Sequence, residues 1–169
     1  MAAYPRLDNF FRRRLLAGTA AYGLIAAAGM GLAHAAGALP QGGQVIGGSA
    51  SINYASPTQL NITATTNNSA IAWQSFSIGQ GNTVNVTQPS ASSTQLEQVN
   101  GPSASQIFGS LSSNGRIVVA NPNGIWFGPT AQVDVAGLVA TTARASNADV
   151  AAFAAGGNLN LSQAGNATA

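Results

Sequence analysis

The chain after residue 40 consists of short runs in which apolar and polar residues alternate. In residues 60–64, for example, Leu, Ile and Ala alternate with Asn and Thr. Similar runs cover residues 52–54, 71–78, 83–87, 117–119, 125–127 and 133–139. Alternation with period two places one set of side chains on one face of a strand, and Gly, Asn, Ser or Pro bounds each run. The pattern therefore predicts an all-β domain of short strands.

The arrangement of these strands is not fixed by their spacing. Runs that recur about every ten residues fit a sandwich, a barrel or a solenoid, and periodicity alone does not choose among the three. After residue 36 no segment has a helical period. Residues 150–155 are apolar but too few to predict a helix, and residues 106–111 fit either a strand or one helical turn.

The composition points to an exported protein. Charged residues make up 6% of the chain, far below the usual quarter, and Lys and Cys are absent. Four of the six positive charges are Arg6, Arg12, Arg13 and Arg14, so the net charge of +2 describes the N-terminus and not a nucleic-acid-binding surface. An uncharged chain rich in Asn, Ser, Thr and Gly, with recurring β-branched residues, favours a folded extracellular β-structure over disorder.

The N-terminus has the features of a helical, cleavable signal peptide. Three arginines at residues 12–14 precede an apolar stretch over residues 15–33, and Ala33 and Ala35 flank His34 as a signal peptidase requires. The alternative is a retained membrane anchor, because the stretch is just long enough to span a bilayer. The many Ala and Gly residues of this stretch and the cleavage site that follows it favour a signal peptide that is cleaved off after Ala35.

We therefore expect a signal peptide at residues 1–35 and an exported domain at residues 36–169. In transit the chain would meet the Sec translocon and signal peptidase. The sequence around Arg12 to Leu16 also faintly resembles a twin-arginine signal, so the choice between the Sec and Tat routes stays open.

The exported domain has few groups that could perform catalysis. Its ionisable residues, apart from tyrosines, are Arg116 and Arg144 against Glu97, Asp134 and Asp149. It has no His, Cys or Lys to act as nucleophile or general base, and the carboxylates are widely spaced. We predict no catalytic residue, no metal site and no cofactor, although some β-helices are carbohydrate-active enzymes.

The firmest turn in the chain is Asn121-Pro122-Asn123-Gly124, between the apolar runs at 117–119 and 125–127. Asn at the first position bonds the backbone, Pro at the second has its φ preset, and Gly closes a type I turn. Because Pro122 keeps Asn121 extended, the segment is predicted as strand, rigid turn and strand.

Three blocks in a fixed order carry a resemblance to a known family. They are LPQGGQVIGGSASI at residue 39, IAWQSFSIGQGNTVNVTQPSASS at residue 71, and QIFGSLSSNGRIVVANPNGIWFGPTAQVDVAGLVATT at residue 106. Together they closely resemble the N-terminal secretion domain of two-partner secretion exoproteins, also called the filamentous haemagglutinin N-terminal or haemagglutination activity domain. The resemblance covers residues 38 to about 155.

The resemblance implies a right-handed parallel β-helix with an N-terminal cap and extra-helical strands. It also implies a dedicated partner, an outer-membrane β-barrel transporter that carries POTRA domains, and a location outside a Gram-negative bacterium, secreted or on its surface, reached through the periplasm. Asn121, Pro122, Asn123 and Gly124 map onto the family's Asn-Pro-Asn-Gly motif. The earlier Asn-Pro-Asn-Leu motif of the filamentous haemagglutinin type is absent, so the match is to the large-adhesin branch.

Several alternatives stay open at this point. The Asn121–Gly124 turn acts either in transporter recognition or only in folding. Trp73 and Phe76 are expected in the core rather than in a contact surface, whereas Trp126 and Phe127 must point in opposite directions if both lie in a strand. A surface scaffold that needs no dedicated transporter also fits the composition.

The activity of the whole exoprotein is not encoded in these residues. Strand-like alternation still runs at residue 161, so we expect the chain to be a fragment. An adhesin, a haemolysin or a toxin, and any host-cell or surface-glycan receptor, would depend on sequence beyond residue 169.

Overall fold

The computed structural model describes residues 38–162. The predicted signal peptide, with its cleavage residues Ala33 and Ala35, lies outside the described residues. The strands, in chain order, are Gln44–Gly47 (β1), Ala50–Ser56 (β2), Gln59–Ala64 (β3), Asn68–Trp73 (β4), Thr83–Thr87 (β5), Thr94–Val99 (β6), Ser105–Ile107 (β7), Ser110–Ala120 (β8), Ile125–Phe127 (β9) and Gln132–Thr141 (β10). A helix, Asn147–Ala154 (α1), follows them.

The strands stack in parallel as the rungs of a three-sided coil. In the first sheet β3, β5, β8 and β10 lie side by side, with Gln59, Thr83, Ser110 and Gln132 in register. In the second sheet β4 and β6 continue onto the later halves of β8 and β10. The third sheet consists of β7 and β9, and Ile78 is bridged to β7. This is the expected right-handed parallel β-helix, with about four turns.

Antiparallel strands cover the first rung. On the first sheet β2 runs antiparallel to β3, and on the second sheet β1 runs antiparallel to β4. Both strands satisfy backbone groups that the first rung would otherwise leave open, because a sheet edge presents unpaired N–H and C=O groups. The expected N-terminal cap and extra-helical strands are therefore present.

The core lies inside the coil and follows directly from the alternation in the sequence. Side chains at alternate positions point into the lumen, where they stack on their counterparts in the next rung. The fully buried aliphatic residues include Leu60, Ile62, Val84, Ile107, Leu111 and Ile117. Burial of each such side chain contributes about 1.5–3 kcal/mol relative to exposure.

The sequence analysis predicted no helix after residue 36, and this was wrong: residues 147–154 form one. Ser146 caps it: its hydroxyl accepts from the Asp149 N–H at 3.1 Å, and the Asp149 carboxylate accepts from the Ser146 N–H at 3.2 Å. Val150 and Phe153 then pack against the outer face of the second sheet. Two turns of helix are stable here because the sheet covers their apolar side. No helix within residues 38–162 is long and apolar enough to cross a membrane.

Two further segments were not settled by the sequence, one because it was ambiguous and one because it was missed. The ambiguous residues 106–111 contain the end of β7 and the start of β8, and no helical turn. Strand β6 was not predicted at all, because Gln95 and Glu97 occupy its lumen-facing positions and hide the apolar alternation. The lumen of the coil therefore contains buried polar groups as well as aliphatic ones.

Candidate functional site

The Asn121–Gly124 segment forms a closed turn at the corner between the second and third sheets. It begins directly after β8, and the Gly124 N–H donates to the Asn121 carbonyl at 3.0 Å, as the predicted turn requires. Gly124 has a φ of 98°, a conformation that L side chains rarely adopt. Pro122 is buried, whereas Asn123 is exposed at the tip.

The side chain of Asn121 is fully buried, and its amide is fully used. Its Nδ2 donates to the Ser103 carbonyl at 3.0 Å and to Ser105 Oγ at 2.9 Å. Its Oδ1 accepts from the Asn123 N–H at 2.9 Å and from Asn123 Nδ2 at 3.2 Å. The amide thus joins the turn to the first residue of β7 and to the loop that precedes it, in the rung below.

Asn123 makes a second connection between the turn and the same loop. Its Nδ2 donates to the Gly101 carbonyl at 2.8 Å. On the opposite side, the Asn121 N–H donates to the Thr141 carbonyl at the end of β10, at 2.9 Å. The N–H groups of Asn121, Asn123 and Gly124 are therefore all bonded within the folded domain.

The aromatic pair after the turn divides between the two faces of β9, as alternation requires. Phe127 packs against the core, whereas Trp126 is 51% exposed on the outer face of the third sheet. The Trp126 ring contacts Phe108 edge to face, with ring centroids 5.4 Å apart. A Cβ at Gly128 would lie 2.2 Å from the Phe108 ring, so a glycine is required beside this pair.

Trp73 and Phe76 lie elsewhere, inside the coil. Both are almost completely buried and meet edge to face, with centroids 5.7 Å apart. The indole Nε1 of Trp73 donates to Glu97 Oε2 at 2.6 Å. The four aromatic residues that the sequence singled out therefore do not form one surface: Trp126 alone among them is exposed.

The partners of the turn were not predicted from the sequence. The loop of residues 100–105 supplies every acceptor outside the turn that the two asparagine side chains use. A Cβ at Gly101 would lie 1.9 Å from the Gln74 carbonyl oxygen, so this loop is held close to the first rung. An Asn-Gly-Pro sequence at residues 100–102 marks a turn, but it does not say what the turn contacts.

The site offers hydrogen bonds and an aromatic surface. Within the described part of the chain no three His, Cys, Asp or Glu side chains gather in a group that could hold a metal ion. Arg144 contacts the Asn100 side chain beside the 100–105 loop. The arrangement is suited to holding neighbouring rungs together and to presenting Trp126 at the surface.

Comparison with known proteins gives three similarities. Residues 35–168 match the family described as TPS secretion domain. The chain is 42% identical over 104 residues to a heme/hemopexin-binding protein of Haemophilus influenzae, and 37% identical over 103 residues to a second protein of that name from the same species. These matches cover 62% and 61% of the chain, but the chain spans only 11% of each relative.

The similarity extends to a solved structure. The crystal structure of the HMW1 secretion domain from Haemophilus influenzae superposes on the chain with a TM-score of 0.62 at 31% sequence identity. The superposed region covers 66% of this chain and 29% of that one.

Proposed function

The chain belongs to the TPS secretion domain family, and from this premise we propose that residues 36–169 address an exoprotein to a dedicated outer-membrane transporter. Exoproteins of the two-partner type are secreted, and the domain implies a partner transporter in the outer membrane. The finer proposal is that the POTRA domains of the transporter bind this segment in the periplasm. The same residues then start β-helix folding outside the cell.

The hydrogen bonds of the turn suggest when recognition occurs. In the folded domain the N–H groups of Asn121, Asn123 and Gly124 already have acceptors. A strand edge of a POTRA domain could pair with the backbone here only before those bonds form. Backbone pairing therefore belongs to the extended chain, and any contact with the folded domain uses exposed side chains.

The same contacts support the proposal that the domain folds at the cell surface. Each new rung pairs its backbone with the previous rung and buries a further layer of aliphatic side chains. The Asn121 amide joins the third rung to the loop of the second rung, so it closes the corner as the coil grows. Coil formation outside would then favour outward movement of the chain.

The observation that carries the proposal is the difference in exposure between a residue of the turn and a residue of the strand that follows it. Asn121 is fully buried with a saturated amide, whereas Trp126 is 51% exposed on the adjoining strand. We assign Asn121 to folding and Trp126 to contact with the transporter. A strong recognition defect with little loss of stability is therefore expected at Trp126, and a combined defect at Asn121.

The test is co-expression of the chain with its transporter and measurement of the secreted fraction. Trp126→Ser should lower secretion strongly while lowering the stability of the purified chain in urea by only about 1 kcal/mol, the size of its contact with Phe108. Asn121→Ala should lower both secretion and stability strongly. The matched control is Asn114→Ala, which removes a side chain that makes a comparable pair of bonds with the Gln88 backbone away from the turn.

Two outcomes would contradict the assignment. Normal secretion of Trp126→Ser would remove Trp126 from the contact surface. If Asn121→Ala lost secretion but kept wild-type stability, the turn itself would be the recognition element. Secretion of every variant without the transporter would favour the alternative of a surface scaffold that needs no dedicated partner.

For the whole exoprotein we propose an adhesin or haemagglutinin-like surface protein, on the resemblance to the large-adhesin branch. The two relatives above are named for binding heme and hemopexin, which makes a heme-related ligand a second candidate. The matched segment is 11% of those proteins, so either activity would depend on other regions. The family is a secretion domain and not a known enzyme family, which supports the non-catalytic assignment.

A further inference from the structure

A fully buried carboxyl group lies in the lumen of the coil. Glu97 of β6 points inward between Ile71 of β4 and Val119 of β8, its register partners in the second sheet. Gln95 Nε2 donates to Glu97 Oε1 at 2.7 Å, and Trp73 Nε1 donates to Oε2 at 2.6 Å. Both donors are neutral, so they bond the carboxyl group without compensating a charge.

No cation faces this group within residues 38–162. The elements packed around Glu97 present aliphatic side chains, Trp73 and Gln95 to it. The other ionisable residues of this segment lie elsewhere: the Tyr54 hydroxyl donates to the Pro40 carbonyl at the cap, Arg144 contacts Asn100, Asp149 caps α1, and Arg116 and Asp134 are exposed. An ionised carboxylate at this position would be buried without a counter-charge, which is costly.

The neighbours of Glu97 can satisfy both of its protonation states. With the carboxylate, the Ser69 hydroxyl donates to Gln95 Oε1 at 3.2 Å and the Gln95 amide donates to Glu97. With the protonated acid, a half-turn of the Gln95 amide lets Oε1 accept the Glu97 O–H and lets Nε2 donate to Ser69 Oγ. An amide carries both a donor and an acceptor and a hydroxyl can act as either, so both arrangements keep a hydrogen bond between Glu97 and Gln95 and another between Gln95 and Ser69.

We propose that the domain takes up a proton at Glu97 when it folds, and that the Ser69–Gln95 pair switches its hydrogen bonds with the protonation state. The secretion domain is then held folded more firmly in mildly acidic surroundings than in alkaline ones. This inference concerns the fold and does not rest on transporter recognition, so failure of either leaves the other standing.

The direction of the effect agrees with the electrostatics of the site. Burial raises the pKa of Glu97 from 4.5 to about 7, and the hydrogen bonds from Trp73 and Gln95 oppose part of that rise. Because the folded-state pKa is the higher one, the contribution is complete below pH 4.5 and is lost as the pH rises through 7. Between pH 5 and pH 8 the folding equilibrium constant should fall about 70-fold from this group alone.

The experiment is urea unfolding of the purified full chain at pH 5, 6, 7 and 8. Wild type should lose stability across this range, while Glu97→Gln, which mimics the neutral acid, should lose much less. Asp134→Asn is the matched control, because it removes an exposed carboxylate and should keep the wild-type slope. The three chains are otherwise identical, His34 included, so the differences between their slopes report on the carboxyl groups.

A second measurement decides the matter if Glu97→Gln does not fold. Infrared spectra of the wild-type chain should show the C=O band of a protonated carboxylic acid at pH 6 that disappears by pH 8. Equal pH slopes for wild type and Glu97→Gln would overturn the proposal. So would the absence of that band at pH 6.

Discussion

Replacement of Asn121 by Ala tests the assignment of the turn to the fold, and its cost can be worked out from the contacts. The substitution removes four hydrogen bonds: two donated by Nδ2 and two accepted by Oδ1. Ser103 and Asn123 are exposed, so water can bond the three groups on them that lose the Asn121 side chain. The loss of each of these three hydrogen bonds should therefore cost only about 0.5 kcal/mol of stability. Ser105 is buried, and loss of its partner costs about 1–3 kcal/mol.

The expected destabilisation is therefore about 3 kcal/mol, or roughly a hundredfold in the unfolding equilibrium. Asn123→Ala is the matched comparison. It removes only the Nδ2 bonds of an exposed residue and should cost about 1 kcal/mol. The difference between the two variants measures what burial adds to the same chemical change.

The assay is urea denaturation at constant pH, followed by circular dichroism of the β-sheet. Trp fluorescence provides a second probe, since Trp73 is buried and Trp126 is exposed. Coincident transitions from both probes would justify two-state analysis. A cost for Asn121→Ala below about 1 kcal/mol, or equal to that of Asn123→Ala, would refute the view that the buried amide holds the rungs together.

Two further substitutions test the packing around the coil. Gly101→Ala should lower the free energy of unfolding in urea by about 3 kcal/mol, because the added Cβ would lie 1.9 Å from the Gln74 carbonyl oxygen. Gly81→Ala is the control: its Cβ would meet open space, so it should cost only the backbone strain of a φ of 80°, about 1 kcal/mol. Equal costs would contradict the predicted clash. Ser146→Ala should remove the N-cap of α1 and lower stability by about 1 kcal/mol in the same assay, while an unchanged midpoint would mean that packing alone holds the helix.

The strands that the sequence predicts well are those whose lumen-facing residues are aliphatic. In β3 and β5 each inward position is Leu, Ile, Val or Ala, so period-two alternation marks both strand and face. Strand β6 breaks this rule because Gln95 and Glu97 point inward, while Leu96 is buried under α1 on the outer face. With polar and apolar residues on both faces, no local pattern distinguishes it.

Neither helix α1 nor the hydrogen-bond partners of the turn could be predicted from local sequence patterns, and the reasons differ. Helix α1 has eight residues and little amphipathic character, so its only sequence signal was the cap formed by Ser146 and Asp149. The acceptors for Asn121 lie in a loop of the previous rung, and no spacing rule connects them. Parallel stacking of the rungs likewise followed from the family resemblance and not from periodicity.

Polar side chains that bond from one rung to the next have a further role in a coil of this kind, which is to fix the register of its rungs. Aliphatic ladders are similar from rung to rung, so a shift by two residues would keep their alternation and lose little apolar burial. Hydrogen bonds between specific side chains are lost completely by such a shift. They join adjacent rungs between Asn61 and Asn85, between Ser69 and Gln95, and between Asn121 and Ser105.

These pairs connect different parts of the coil in succession. The first two join rung one to rung two in the first and second sheets, where each pair is also in exact backbone register. The third joins rung two to rung three at the corner of the turn. A coil that forms rung by rung must choose one register as each rung is added. These side-chain pairs therefore favour one register over its neighbours, and the Ser69–Gln95 pair among them explains polar residues in a lumen that aliphatic side chains could fill.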